Sequence, residues 1–388
     1  MFFTNGVLYS ALLPRYPEVK DAFGLSNSQF GLMVVAFPVG AMATAAFAGP
    51  VIRRFGAVRV TGVGSALLAA AMAVAGASPV VGVFVAALLV AGALDAIVDA
   101  AQNVQGVLVE QWRGRSIINS FHAVWSVGAA TGGLIGATAA AAGVGLATQL
   151  LVNGVVWTLV ALASSLLSVV PADVRAELRA EAGTASESGA TAGGSVRRHA
   201  WRLLVPLVLL AICGTLVEDV ANNWVVLYLG DEAGAPIGVA GLGLTVVLVA
   251  QFVGRVLGDP MTDRWGRDAV ARTGGLLIAA GAALAVLAPA YPLVFAGFAL
   301  AGFGCATLVP AAFAAAGRIP GLPEGTGISV LGWLMRLGFL VTSPAIGGLS
   351  DATSLRTAMV LPVAAGLVAA CLAHASGRVS RAGALSPR

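Results

Sequence analysis

The sequence predicts an all-α membrane protein with 12 transmembrane helices arranged as two similar six-helix bundles. Its 388 residues are 58% hydrophobic and only 10% charged, whereas roughly a quarter of the residues in soluble domains are charged. Apolar windows recur along nearly the whole chain, and at about 20 residues each is long enough to cross a hydrocarbon core about 30 Å thick. One long polar segment divides these windows six and six.

The apolar windows define the predicted helices in chain order. They are Met1–Leu13, Gln29–Ala48, Val58–Ala77, Val80–Val109, Ser116–Ala142, Leu146–Val169, Leu203–Leu229, Ile237–Leu257, Val270–Ala288, Leu293–Ala315, Gly325–Ile346 and Leu355–Ala373. The first window is short for a membrane span. A short first helix and a start codon placed late explain this equally well.

The polar segment PADVRAELRAEAGTASESGATAGGSVRRHAWR follows the sixth window and is rich in Ala, Gly, Ser and Thr. Such a composition is typical of a flexible linker. The predicted domains are therefore an N-terminal bundle over 1–170, a cytoplasmic linker over 171–202, a C-terminal bundle over 203–375 and a cytoplasmic tail over 376–388.

The two halves also resemble each other. A displacement of about 210 residues lays AGPVIRRFGAVRV on GDPMTDRWGRDAV, so that Arg54 matches Arg264 and Gly56 matches Gly266. A similar displacement lays GGLIGA on SPAIGG in the corresponding helices. Paired helical repeats around a site at the membrane midplane are typical of secondary transporters.

Basic residues predict the orientation in the membrane, because Lys and Arg concentrate in the loops that stay in the cytoplasm. With a cytoplasmic N-terminus, the connections on that side hold most of the arginines, including Arg53, Arg113 and Arg264. This predicts a multi-pass protein of the cytoplasmic membrane with both termini in the cytoplasm. The basic residues are spread over several short loops, which argues against a nucleic-acid partner.

Ionisable and amide residues recur inside several apolar windows. The stretch GALDAIVDAAQNVQGVLVE places Asp95, Asp99 and Asn103 on one helix face. A charge at the bilayer centre costs about 2.5–3.5 kcal/mol on insertion scales, so these side chains are expected to face a cavity or a partner. Further polar residues in the windows are Asn119 and His122 in the fifth, Glu218, Asp219, Asn222 and Asn223 in the seventh, and Arg336 in the eleventh.

Three stretches carry a resemblance to a known family: LLPRYPEVKDAFGLSNSQFGLM at Leu12–Met33, DAAQN at Asp99–Asn103 and NSFHAVWSVGAATGG at Asn119–Gly133. The chain resembles major facilitator superfamily transporters over nearly its full length, and within them the fucose-permease-like branch of sugar:proton symporters. The superfamily's loop motif is degenerate in the first half, where Arg53 occupies the acidic position. The second half keeps the motif through Gly258, Asp259, Asp263, Arg264, Gly266 and Arg267.

The resemblance to the fucose-permease-like branch implies a proton-coupling carboxylate on the fourth helix, four residues before an asparagine. Asp99 and Asn103 match that pattern, and a carboxyl group shielded from water can bind and release a proton as its exposure changes. The alternative for Asp99 is a packing ion pair with Arg336. The branch also has an aspartate where Ser10 stands here. Ser10 is therefore a candidate substrate residue, and the missing carboxylate's role falls to Asp95 or Glu218.

Glu218, Arg336 and His122 are the further candidates for proton coupling. Because arginine keeps its charge, Arg336 is expected to pair with Asp99 or Glu218, or to bind an anionic substrate. Protonation would release such a pair and bias one access state. His122 is either a proton relay or a hydrogen-bonded packing histidine. For Asp219, a cavity position and a structural position are equally open.

The substrate candidates are the polar and aromatic residues expected to line a cavity: Asp95, Asn103, Asn119, Asn222, Trp125, Trp333 and Ser10. Tryptophan stacks on a sugar ring or packs between helices, and both readings apply here. Five residues are expected to gate the transporter through a cytoplasmic charge relay that closes one conformation: Arg54, Arg255, Asp259, Asp263 and Arg264.

These features predict proton-coupled uptake of a small polar solute, such as a sugar, by alternating access. The alternatives are proton-driven export of a drug or metabolite, because GAATGGLIGA partly matches the superfamily's antiporter motif, and a membrane sensor that kept the fold and lost transport. Cys213, Cys305 and Cys371 lie alone in separate windows, so no metal, cofactor or enzyme chemistry is predicted. The expected partners are the solute, protons and the lipid bilayer, and the protein is expected to be a monomer.

Overall fold

The computed structural model describes residues 1–113, 118–168, 194–316, 319 and 326–373, and the secondary structure of these residues is helical. The helices, numbered here α1 to α18, are Phe2–Ser10, Tyr16–Ala22, Asn27–Val34, Ala36–Phe55, Ala57–Gly76, Val81–Arg113, Ile118–Ala141, Leu146–Leu167, Gly194–Asn223, Val225–Leu227, Ile237–Ala240, Leu242–Trp265, Arg267–Leu287, Tyr291–Cys305, Leu308–Ala316, Thr326–Ala352, Leu355–Ala358 and Val360–Leu372. A 3₁₀ turn at Leu13–Arg15 follows α1, and a π-helical turn at Tyr228–Glu232 follows α10. Most of the predicted linker and the tail from 374 lie outside the described residues.

In the described part of the chain, 11 helical segments are long and apolar enough to cross a membrane. The prediction of an all-helical, multi-span protein is therefore confirmed. Helix α1 has only 9 residues and is not among the 11. Some boundaries differ from the prediction: the second window breaks at Val35 into α3 and α4, and α9 begins at Gly194 rather than Leu203.

The chain divides into two compact units whose limits do not follow the two sequence halves. The first unit comprises Met1–Leu25, Leu32–Ser188 and Ile237–Thr245. The second comprises Ser26–Gly31, Gly189–Pro236 and Val246–Arg388. The first unit thus includes a short segment of the second sequence half, and the second unit includes a short segment of the first half.

In the first unit, α1 lies against α7 with their backbones in contact. A Cβ atom added at Gly128 would lie 2.1 Å from the carbonyl oxygen of Phe3, and one at Gly136 would lie 2.4 Å from that of Ala11. Gly132, between them, is confined in the same way. The three glycines follow one another every fourth residue, so they line a single face of α7. Any side chain at these positions would push α1 away.

In the second unit, the end of α16 caps the start of α3. The Asp351 carboxylate accepts hydrogen bonds from the backbone N–H groups of Asn27 at 2.9 Å and Ser28 at 2.8 Å. The first N–H groups of a helix have no partner within the helix, and its positive end favours an anion. The side-chain amide of Asn27 also donates to Oγ of Ser350 at 2.8 Å. These bonds explain why Ser26–Gly31 belongs to the second unit.

The internal repeat is visible in the backbone where α4 and α12 end. Gly56 and Gly266 take left-handed φ angles of 83° and 81°, which favour glycine. The arginine two residues before each glycine, Arg54 or Arg264, lies over the aromatic ring between them, at 5.6 and 5.9 Å from the ring centroid. The two segments that match in sequence therefore also match in local geometry.

Candidate functional site

The first unit holds three hydrogen-bonded side chains from three different helices. Asn5 on α1 donates through Nδ2 to Oδ1 of Asp95 on α6 over 2.8 Å, and Nε1 of Trp125 on α7 donates to Oδ1 of Asn5 over 2.8 Å. Asn5 is 3% exposed, whereas Asp95 and Trp125 are part exposed. One buried amide thus holds a carboxylate on one side and an indole ring on the other.

A second polar group lies further along α6. Nδ2 of Asn103 donates to Oδ1 of Asp99 at 3.1 Å and to its backbone oxygen at 2.9 Å. Oδ1 of Asn103 lies 3.1 Å from Nε2 of His122 on α7, and the exposed His122 ring packs edge-on against Phe2. The Asn103 amide therefore joins the carboxyl group of Asp99 to the imidazole of His122.

The second unit holds an ion pair that the sequence analysis did not predict. Oε1 of Glu218 on α9 accepts hydrogen bonds from Nη2 of Arg255 at 2.9 Å and from Nε2 of Gln251 at 2.6 Å, both on α12. The Arg255 and Glu218 side chains are 35% and 26% exposed, and both lie in candidate membrane spans. Because arginine stays charged, the pair persists only while Glu218 is ionised.

The neighbouring carboxylate, Asp219, is buried in a packing network between α9 and α16. Oγ of Ser343 donates to Oδ2 of Asp219, and Nδ2 of Asn223 donates to Oδ1 at 2.9 Å. Nε1 of Trp224 donates to Oγ of Ser343 at 3.0 Å. Asp219 is 3% exposed. Of the two readings left open for Asp219, this geometry favours the structural one.

Comparison with known proteins identifies the family. The model of the Major Facilitator Superfamily matches residues 1–228 and 207–384, which together span nearly the whole chain. The chain belongs to the major facilitator superfamily. The superfamily consists of membrane transporters, which confirms the prediction of a multi-pass transporter that is not an enzyme.

Individual members of the superfamily show how far the likeness extends. The uncharacterized transporter y4wD of Sinorhizobium fredii is 31% identical over 96% of this chain and 94% of its own length. The xylose transporter XylE from E. coli, in an inward open conformation, has a TM-score of 0.74 at 15% identity, with 96% of this chain and 93% of XylE covered. FucP in the outward conformation has a TM-score of 0.63 at 20% identity, with 96% of each chain covered. At these identities the solved structures show the superfamily fold alone.

The predicted pairing of Arg336 with Glu218 needs correction. The sequence predicts that Arg336 pairs with Asp99 or Glu218, but Glu218 is bound by Arg255 and Gln251. The Arg336 side chain is exposed, and the part of the chain that the structure describes contains no ion pair of Arg336. Asp99 belongs to the other compact unit, so that pairing stays a prediction.

The predicted gating residues are described only in part. Arg54, Asp263 and Arg264 are exposed near the ends of α4 and α12, and the Asp259 side chain lies outside the described residues. Arg255 instead belongs to the ion pair of the second unit. It lies closer to the start of α12 than the other acidic and basic residues of the motif, and there it meets Glu218 on α9. The gating role of these residues stays a prediction.

The remaining substrate candidates are only partly brought together. Ser10 on α1 is buried, Asn222 on α9 is part exposed and Trp333 on α16 is 55% exposed. Within the described ranges, none of these three is hydrogen-bonded to the group of Asn5, Asp95 and Trp125 or to the group of Asp99, Asn103 and His122. The Asn119 side chain lies outside the described residues. Their substrate roles therefore stay predictions.

Sequence reasoning missed two amide residues, Asn5 and Gln251. Asn5 lies in the short first window. Sequence reasoning interpreted the length of this window and not the amide within it. Gln251 lies four residues before Arg255, so both project from the same face of α12. The signal for both was an amide inside an apolar window, which is the signal that identified Asn103.

Proposed function

We propose that this protein is a proton-coupled transporter of the fucose-permease-like branch, which takes up a small polar solute such as a sugar by alternating access. It acts as a monomer in the cytoplasmic membrane, with both termini in the cytoplasm. The solute and protons are its partners.

The observation that carries this proposal is the ion pair between Glu218 and Arg255. Both residues lie in candidate membrane spans, on different helices, and both are part exposed. An unpaired charge is costly inside a membrane. When Glu218 takes up a proton, its ion pair with Arg255 is lost, and this change of charge favours a different arrangement of α9 and α12. Proton binding is thereby linked to a conformational change.

The first unit supplies the second part of the proposal. Asn103 is hydrogen-bonded to both the carboxyl group of Asp99 and the imidazole of His122, and the two groups that it joins are acid–base groups, which suits a proton-binding site. Asp95 and Trp125 combine a carboxylate with a part-exposed indole ring. Carboxylates bind hydroxyl groups and indoles cover apolar ring faces, so this pair suits a sugar-like solute.

The proposal is tested with purified protein in liposomes that carry an imposed pH gradient. Labelled fucose, D-xylose, uridine and amino acids are offered in turn, and accumulation is compared with liposomes lacking a gradient and with liposomes treated with a protonophore. We expect at least one hydroxyl-rich solute to accumulate on the side to which protons flow. Movement against the proton flow would support export instead, and no flux of any solute would contradict a transport function.

A further inference from the structure

Asn5 lies where the backbones of α1 and α7 are in contact. A Cβ atom added at Gly6, the next residue, would lie 2.4 Å from the backbone oxygen of Trp125. This contact brings the Asn5 amide to the Trp125 indole, while Asp95 on α6 lies on the other side of the amide. Asn5 is 3% exposed, so water has little access to either hydrogen bond.

The chemistry of the two neighbours leaves the Asn5 amide one orientation. An indole N–H can only donate, and an ionised carboxylate can only accept. The amide oxygen must therefore face Trp125 and the amide nitrogen must face Asp95, since the reversed amide would lose both bonds. Within the described residues, the only hydrogen bond of the Asp95 carboxylate is the one from Asn5 to Oδ1. Oδ2 of Asp95 has no hydrogen bond within these residues.

We propose that Asn5 is a positioning residue that holds Asp95 and Trp125 together as one recognition surface for a hydroxyl-bearing ring, such as that of a sugar. The inference rests on the proposed function, because it names the substrate class of the same site. Oδ2 of Asp95 accepts a hydrogen bond from a ligand hydroxyl, and the Trp125 ring covers the apolar face of the ligand.

The contribution of Asn5 is to keep two binding groups in one joint arrangement. Without the amide, the Asp95 carboxylate and the Trp125 indole each reach other rotamers. The binding-competent arrangement is then populated for only part of the time, and the apparent affinity falls by that fraction. The effect reaches the ligand only through the two neighbours, because Asn5 itself is buried.

The first test follows the Trp125 ring by ¹⁹F NMR in protein labelled with 5-fluorotryptophan, with the resonance assigned through Trp125→Phe. Asn5→Leu removes both hydrogen bonds at a similar side-chain shape, and we expect it to shift and broaden the Trp125 resonance. Asn153→Leu is the matched control, because Asn153 on α8 is 6% exposed and its Oδ1 has no hydrogen-bond partner in the described ranges. We expect the control to leave the resonance unchanged.

The second test exchanges the amide and the carboxylate. Asn5→Asp alone places two carboxylates at the 2.8 Å contact and is expected to disturb the Trp125 resonance. In the double variant Asn5→Asp with Asp95→Asn, the carboxylate at position 5 accepts from both the indole and the new amide. We expect this variant to regain the native resonance, a rescue that a residue which only fills space would not give.

The third test adds fucose and D-xylose as probes to the labelled protein. We expect at least one probe to shift the Trp125 resonance of the native protein. The apparent dissociation constant of that probe should rise about tenfold or more in Asn5→Leu, since a hydrogen bond to a charged group contributes about 1.5–3 kcal/mol. It should stay unchanged in Asn153→Leu.

Each failure has its own signature. A native Trp125 resonance in Asn5→Leu, or no rescue in the double variant, overturns the positioning role even if the protein transports a solute. A native protein whose Trp125 resonance responds to neither probe overturns the assigned ligand class. Failure of the proposed function is separate, because it shows as no accumulation in a pH gradient while the Trp125 resonance still responds to Asn5→Leu.

Discussion

The ion pair between Glu218 and Arg255 puts opposite charges on two helices of one compact unit. Gln251 binds the same carboxylate oxygen, so three polar groups meet at one point inside an apolar segment. Arginine does not lose its proton in proteins. The only member of this group that can change its charge is therefore Glu218, and its charge decides whether the ion pair between Glu218 and Arg255 exists.

Glu218→Gln fixes this site in a neutral form. We expect solute exchange across liposomes at equal pH to continue, because a neutral Glu218 still allows the conformational change. Accumulation driven by a pH gradient should be lost, because no proton is carried. The matched control is Glu232→Gln, since Glu232 lies outside the candidate spans and its Oε2 pairs with Nε of Arg356 at 3.5 Å in the same unit. Retained accumulation in Glu218→Gln would contradict the coupling role.

Ser343→Ala tests the structural reading of Asp219. The hydroxyl of Ser343 donates to Asp219 and accepts from Trp224, so its loss leaves a buried carboxylate with one donor fewer. We expect a loss of stability of about 1–3 kcal/mol, measured as a lower Tm of the detergent-solubilised protein. Ser164→Ala is the control, because Ser164 is part exposed and, among the residues that the structure describes, its hydroxyl bonds only to the backbone oxygen of Val160 in its own helix. An equal Tm for both variants would contradict a structural role of Asp219.

Helices α1 and α7 approach each other closely because glycines, which have no side chain, lie at their contact. Three glycines on one face of α7 meet backbone oxygens of α1, and this close approach sets the distance between Asn5 and Trp125. The relative positions of Asn5, Asp95 and Trp125 therefore depend on helix packing as much as on the polar residues themselves. Small residues at helix contacts serve the same purpose in other membrane proteins.

Gly128→Leu should separate α1 from α7, because even a Cβ atom there would lie 2.1 Å from the carbonyl oxygen of Phe3. Overpacking of this kind costs about 1–3 kcal/mol, and here backbone rather than a flexible side chain must move. We expect a lower Tm and a changed Trp125 resonance. Gly82→Leu is the control, since a Cβ atom at Gly82 would meet nothing within 4 Å. If the two variants unfold at the same temperature, the close packing of α1 does not matter for stability.

At the scale of the whole molecule, the fold was predictable because hydropathy and the repeat are properties of long stretches of sequence. Apolar windows fixed the helices, and the match of Arg54 with Arg264 located equivalent helix ends. It was not predictable that Ser26–Gly31 belongs to the second unit and Ile237–Thr245 to the first. This division depends on contacts such as that of Asp351 with the start of α3, which join residues more than 300 positions apart and leave no local pattern.

The polar site was predictable in composition but not in pairing. A polar residue in an apolar window shows that a partner exists, so Asp95, Asp99 and Glu218 were found. Which partner it has depends on how helices pack. Arg255 rather than Arg336 therefore reaches Glu218, and the partner of Asp95 is Asn5, which was not among the candidates.

The most direct measurement of the coupling claim follows protons and solute together. Liposomes containing the protein and an internal pH-sensitive dye, with no initial pH gradient, receive an inward gradient of the solute identified in the uptake screen. If transport is proton-coupled through Glu218, the interior acidifies as solute enters, and Glu218→Gln admits solute without acidification. Solute entry in the native protein with no change of internal pH would contradict proton-coupled transport.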